Sequence, residues 1–429
     1  MIYTSRALSF LKLKHSVLST LLFLLLLAAC QPAAPVPDLP VSVWGPVITL
    51  AQAEQPNAPA LAVSESGVTA AWVGADEQGV FQALRTLNND APGEPIRLPL
   101  GVRPYAQQFA SAGNGRQHLF WLDSNVEGET RLFTALLKPN LERERELTIL
   151  TREVTRRYTL LPAAEGGVWA IASGGLASEP SLNAHFVDGD GRWRLNENDR
   201  IATDADWPTL LQHADGTVSL YWLRDTDNRV MRGLFNDGVL LNPQPLVDSV
   251  TLNAGDRLES FTAAQDNAYA YLFWNVTRVD GSRETWYTAA PPDTATWERP
   301  TRLTIDVPDD IATASWFDSG FNVGVVFAAS DGEDNVSWVV PASGRFPVLP
   351  VAALVGREIS VMFMREGQIV GYRPMGLLTD LIGLPTLAVD RDLYIYLSWA
   401  QPDPAGYANL QLVGRKVGLW SWVENPRSD

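Results

Sequence analysis

Three arginines and a tryptophan recur along this chain at a nearly constant step. Arg103, Arg157, Trp207 and Arg257 are separated by 54, 50 and 50 residues. A guanidinium presents a planar fork of donors that matches a carboxylate bidentately, and an indole beside it offers a flat apolar face. A repeating fold that aimed all four at one region would make a pocket for an anion or an acidic glycan. Arg156 doubles the second arginine, and Asp309 and Asp310 stand one further step along. In so acidic a chain the same arginines have a plainer use, pairing with surface carboxylates. One more residue has chemistry of its own: Cys30, the only cysteine in 429 residues. Beyond it the chain has no thiol for a disulfide, a zinc thiolate or a nucleophile.

Other reactive sets are missing. His118, His185 and His213 follow no ligand spacing, and His118 runs into Leu119-Phe120-Trp121, a strand-like stretch that predicts a backbone partner for its ring. There is no His-Glu-x-x-His element, no Gly-x-Ser-x-Gly elbow and no glycine loop to cradle a phosphate. Asp188-Gly189-Asp190-Gly191 and Asp225-Thr226-Asp227-Asn228 are rich in oxygen but complete no calcium loop, and read as solvated turns. The sequence calls for no metal and no cofactor.

The elements that must position the arginines come from an internal repeat. A short apolar strand, often opened by proline, is followed by a turn and an alternating strand that ends in an aromatic. Pro59 to Trp72, Pro208 to Trp222 and Pro385 to Trp399 show it most closely. The ends of these second strands fall at Trp72, Trp121, Ala172, Trp222, Trp274, Phe327, Phe363 and Trp399, at intervals of 49, 51, 50, 52, 53, 36 and 36. Third strands are predicted at Gly79 to Leu84, Arg131 to Leu136, Glu284 to Ala289 and Asn335 to Val340, and a fourth at Trp297 to Thr304. Asp-Gly pairs such as Asp237-Gly238 separate the runs.

Four antiparallel strands per unit at this period predict an all-β fold, a β-propeller whose radial repetition protects the sheet edges. The aromatics that end the second strands then fill the core between blades. Eight anchors favour eight blades, with seven the alternative. Val43 to Leu50 resembles an outer strand and would close the ring against the last blade. The arginine positions fall at the start of each innermost strand, around the mouth of the central channel.

The formal charge is −16; residues 1–29 carry three positive and no negative charges, so the remainder is more acidic still. That disfavours nucleic acid as a partner. Arg6, Lys12 and Lys14 precede an apolar stretch from about Val17, which ends in Leu27-Ala28-Ala29-Cys30. This is the pattern of a secretory signal peptide. Small residues before a lone cysteine resemble the lipobox of bacterial lipoproteins, which implies lipidation of Cys30 and an extracytoplasmic, membrane-anchored protein. The domain reading is therefore a signal peptide at 1–29, a proline-rich tether at 30–42, a propeller at 43–424 and a short tail at 425–429, as a monomer.

The repeat also resembles the sialidase-type propellers, in which arginines hold the substrate carboxylate. Of that family's Ser-x-Asp-x-Gly-x-x-Trp turn, Asp188 and Trp193 keep the separation, while Asp190 takes the glycine place; the early Arg-Ile-Pro element is absent. A tyrosine nucleophile would have to be Tyr105 or Tyr158, and no acid pairs with either in the sequence. The leading functional expectation is a binding module for a glycan, peptide or protein at the channel mouth. The alternatives are a glycoside hydrolase or lyase acting on exported acidic polysaccharide, and a scaffold subunit of an envelope complex.

Overall fold

The computed structural model describes residues 47–304 and 336–416, short stretches excepted. Their regular structure is strand throughout, except for one turn of 3-10 helix at Ala164–Gly166. Runs of valine, leucine, tyrosine and tryptophan favour the pleated backbone. Glycine, aspartate and asparagine at the hairpins supply the left-handed conformations that reverse it, as at Asn114, Asn228 and Asp237.

Among the described residues seven sheets follow one another in chain order, each winding antiparallel from an inner strand outward, with Arg345–Phe346 added in parallel beside Arg257–Asp266 of the fifth. The innermost strands are Ala60–Ser64, Pro104–Gly113, Thr155–Pro162, Ala205–Gln212, Arg257–Asp266, Val336–Pro341 and Thr386–Val389. Successive innermost strands contact one another, and that of the seventh sheet contacts that of the first. The fold is a β-propeller. Its ring is closed by Ile48–Ala53, which pairs antiparallel with Asn409–Lys416 as the outer strand of the seventh sheet. The Ser398 hydroxyl adds a hydrogen bond of 2.7 Å to the Pro59 carbonyl across the same seam. The predicted N-terminal closing strand is thus present, shifted a few residues along the chain.

The tryptophans expected to end the second strands do fill the spaces between sheets, although each strand runs two to four residues past its ring. Trp72, Trp121, Trp222, Trp274 and Trp399 are all at most 4 % exposed. Each lies in the apolar cluster between its own sheet and the preceding one. Ala172 breaks the series, and the inner strand supplies the missing ring. Tyr158 faces Ala172 directly and is buried in the cluster between the second and third sheets.

The sixth sheet corrects two expectations. Val336–Pro341, predicted as a third strand, is the innermost strand there. Phe363, predicted to end a second strand, lies on the third strand Glu358–Arg365, the second being Leu349–Val355. The residues are apolar enough for either place, so spacing alone misassigned the register by one strand. Phe327 lies outside the described residues.

Candidate functional site

The innermost strands start on one face of the ring, and in five of them the ladder slips just after the start. The breaks fall between Tyr105 and Gln108, Thr155 and Arg157, Asp206 and Thr209, Leu258 and Ser260, and Val336 and Trp338. A bulge inserts unpaired residues, bends the strand and re-aims side chains. It also offsets residues that equal spacing would align.

Counted from the second strand, Tyr105, Arg157, Asp206 and Ser260 share one level, each facing the residue just past the anchor position. Arg257 faces Thr277, two places further out. Trp207 lies inside the fourth sheet's bulge, in the place that Ala106 takes in the second. Arg156 is the bulged residue of the third sheet. Arg103, Asp309, Asp310 and Cys30 lie outside the described residues.

Arg157 and Trp207 do meet. The Arg157 guanidinium carbon sits 3.5 Å from the centre of the Trp207 ring. One of its nitrogens is 2.7 Å from Asp206 Oδ2, an oxygen that Arg156 also approaches, at 3.7 Å. Asp206 Oδ1 accepts the Trp207 backbone N–H at 2.7 Å. The Asp206 carboxylate is only 8 % exposed, so its attraction for the two cations is little screened by water. Two guanidinium groups on one carboxylate leave the cluster with a net charge of +1.

Trp207 holds φ at +57°. That is an unfavourable conformation for a bulky residue, and more so before a proline, costing about 1–3 kcal/mol. Asp206, Arg157 and the packing of the indole against the core between the fourth and fifth sheets offset it. The consequence is a fixed platform. It locks Arg157 against Asp206 and leaves Arg156 with a single longer contact and its hydrogen-bonding groups largely uncommitted.

Arg257 has a different partner. Its side chain is 73 % exposed and is held by Glu259, two residues along its own strand, with nitrogen to oxygen 2.6 Å. The two tyrosines are also accounted for. Tyr158 donates to the Ala106 carbonyl, and full burial pushes its phenol pKa well up, which unsuits it as a nucleophile. Tyr105 donates to Thr130 at 3.4 Å. Spacing had put Arg157, Trp207 and Arg257 on one level, whereas the bulges bring Arg156 and Asp206 to the centre. An extra residue in a strand leaves no mark on a 50-residue interval, although the tandem Arg156-Arg157 before Tyr158 hinted at one.

The turn that resembles the sialidase family's motif is structural. Asp188 Oδ1 accepts the backbone N–H groups of Asp190 and Arg192 at 3.0 and 2.9 Å, and so folds the hairpin between third and fourth strands. His118 and His185 are buried on other elements, and His213 is half-buried beside Ser219. His118 donates from Nε2 to the Gly166 carbonyl at 3.1 Å, the backbone partner expected of it. His185 lies 3.7 Å from Asp199, edge-on to Trp193, and burial lowers its pKa to about 4.

No family model matches the chain, and no curated protein matches it. Among solved structures it is similar to the polysaccharide lyase Uly1, at 10 % identity and a TM-score of 0.48 over 90 % of this chain and 94 % of that one. It is similar also to the Penicillium chrysogenum alpha-L-arabinanase complexed with arabinobiose, at 14 % identity and 0.44 over 73 % and 93 %. A third is the Aleuria aurantia lectin in complex with alpha-methyl-L-fucoside, at 10 % and 0.40 over 77 % and 98 %. None of these scores reaches 0.5, and the activities named are those of the neighbours.

Proposed function

We propose that this protein is a lipid-anchored, extracytoplasmic β-propeller that binds a carboxylate-bearing ligand where its third and fourth sheets meet. The observation that carries the reading is the pair Arg156 and Arg157 on the single carboxylate of Asp206, beside a strained Trp207. Arg157 is spent on Asp206 and the indole, so Arg156 is the residue that meets the ligand, with Arg157 positioning it. A guanidinium already anchored at a partly dehydrated site gives up less side-chain entropy on binding, which favours it over a free surface arginine.

The reading is of a binding module and not of an enzyme. Neither tyrosine beside the cluster has a free phenol paired with a carboxylate, and Asp206 is engaged by two cations and a backbone N–H. The anchor rests on the leader and on Cys30, whose thiol has no second cysteine to pair with. More than one acyl chain on that residue is enough for stable membrane attachment, since one chain alone holds only marginally.

The test is a titration of the full-length protein with an oligouronate and with a peptide alternating glutamate and leucine. At least one probe is expected to bind, and Arg156→Gln to weaken it about tenfold or more, the loss of one charge-assisted contact. Binding of neither probe, or equal binding by the variant, refutes the site. For the anchor, an alkyne fatty acid fed to the expressing cells is expected to label the wild type. A Cys30→Ala variant that labels equally would refute lipidation there.

A further inference from the structure

Two exposed aliphatic residues stand just beyond Arg156 at the open end of the third sheet, one of them facing Glu179. Val154, two residues before it, is 41 % exposed, and Leu176 at the tip of the second-to-third-strand loop is 71 % exposed. The two belong to one patch, because the Gly175 N–H donates to the Val154 carbonyl at 3.1 Å. Gly174 permits this approach: a Cβ there would stand 2.3 Å from the same carbonyl oxygen. The combination recurs two sheets further round the ring. Val279, at the corresponding loop tip of the fifth sheet, is also 71 % exposed, beside Asp256 and the exposed Arg257. These are the two most exposed large apolar side chains among the described residues.

A saccharide suits this surface poorly. Sugars are gripped by open aromatic faces and dense hydrogen-bonding groups, whereas the Trp207 ring is covered by the Arg157 guanidinium and leans on the core. A uniform polyanion would also run past Asp204 and Asp225 at the same end of the fourth sheet, between the two patches, where Arg224 and Arg229 are already paired with Asp227. Bare leucine and valine gain by burial only against apolar groups. An arginine set among them favours a ligand that carries isolated carboxylates between aliphatic side chains.

Resting on the carboxylate site proposed above, we infer that the ligand is a polypeptide segment in which acidic and aliphatic side chains alternate. Its carboxylate meets Arg156, and a neighbouring aliphatic side chain packs on Leu176 and Val154. Val279 and Arg257 offer the same pair of contacts to a longer segment.

The full-length protein is titrated, by fluorescence anisotropy, with a labelled peptide alternating glutamate and leucine. Controls are a peptide with serine for leucine, a peptide with glutamine for glutamate, and a labelled oligouronate. The first peptide is expected to bind best. Leu176→Ser, at an exposed site that the fold does not need, should weaken it about tenfold, as expected for losing most of one leucine's burial. Arg156→Gln should weaken it at least as much. If the serine peptide binds as well as the leucine peptide, or Leu176→Ser changes nothing, the inference falls. If the oligouronate binds better and loses affinity in Arg156→Gln but not in Leu176→Ser, the carboxylate site stands and the polypeptide ligand is refuted. If no probe binds, both fail.

Discussion

Acid should unfold this protein in part through one histidine. His185 is 4 % exposed, neither ring nitrogen makes a hydrogen bond, and burial lowers its pKa from 6.5 to about 4 despite Asp199 at 3.7 Å. As pH falls, the unfolded chain takes up the imidazole proton near 6.5, while the folded chain resists until about 4. Across that window the unfolded state holds more protons, so stability is complete above it and is lost progressively on the way down. At roughly 1.4 kcal/mol per unit of pKa, the loss comes to about 3 kcal/mol. That is a large share of the roughly 5–15 kcal/mol that holds a typical fold together. Urea unfolding of the wild type and of His185→Gln, followed from neutrality to about pH 4, isolates the term. Carboxylates titrate in both proteins and cancel in the difference. The variant should start less stable and lose about 3 kcal/mol less than the wild type over the window. Parallel pH profiles would show that the ring finds a proton acceptor or water in the fold, and would refute the reasoning.

Trp121→Ala should cost about 3–5 kcal/mol in the same urea assay, because it empties the core between the first and second sheets, and ligand affinity should be unchanged. Arg157→Gln should lower stability by only about 1 kcal/mol, since its side chain is 36 % exposed, yet weaken ligand binding through the loss of Arg156's positioning. Asp188→Ala removes the acceptor of two backbone N–H groups and should cost about 1–2 kcal/mol, read as a fall in melting temperature. Starting the chain after Ala53 exposes the Asn409–Lys416 edge, and light scattering should show more self-association than in the intact chain.

The architecture was legible because tryptophan is costly to leave in water. Five second strands carry one at the same place, and the interval between them measures a whole blade. Ala172 was legible as a gap in that series, but its remedy was not, since Tyr158 fills the space from a different strand. The sixth sheet was misassigned because its strands are apolar on both faces and carry no period to fix which comes first. At the site, spacing marks Arg157 and Trp207, whereas nothing in the sequence marks Asp206. Its role depends on a bulge, and a bulge depends on what a residue faces and not on how far along the chain it lies.

The strand that seals the ring joins residues from opposite ends of the chain: Ile48 is paired with Val413, 365 positions away. In synthesis Ile48 is made 365 residues before its partner. The intervening sheets can form as the chain emerges, but the ring cannot close until Asn409–Lys416 has been made. Holding so long a loop closed costs only about (3/2)RT ln n in free energy, a few kcal/mol, but the search for it is slow. A long-lived folding intermediate should therefore be an open ring with two exposed edges, vulnerable to proteases and to other copies of itself. Once sealed, the ring unfolds only by giving up that clasp or breaking between two sheets. Its persistence then rests on the rate of opening more than on the free energy of the closed state.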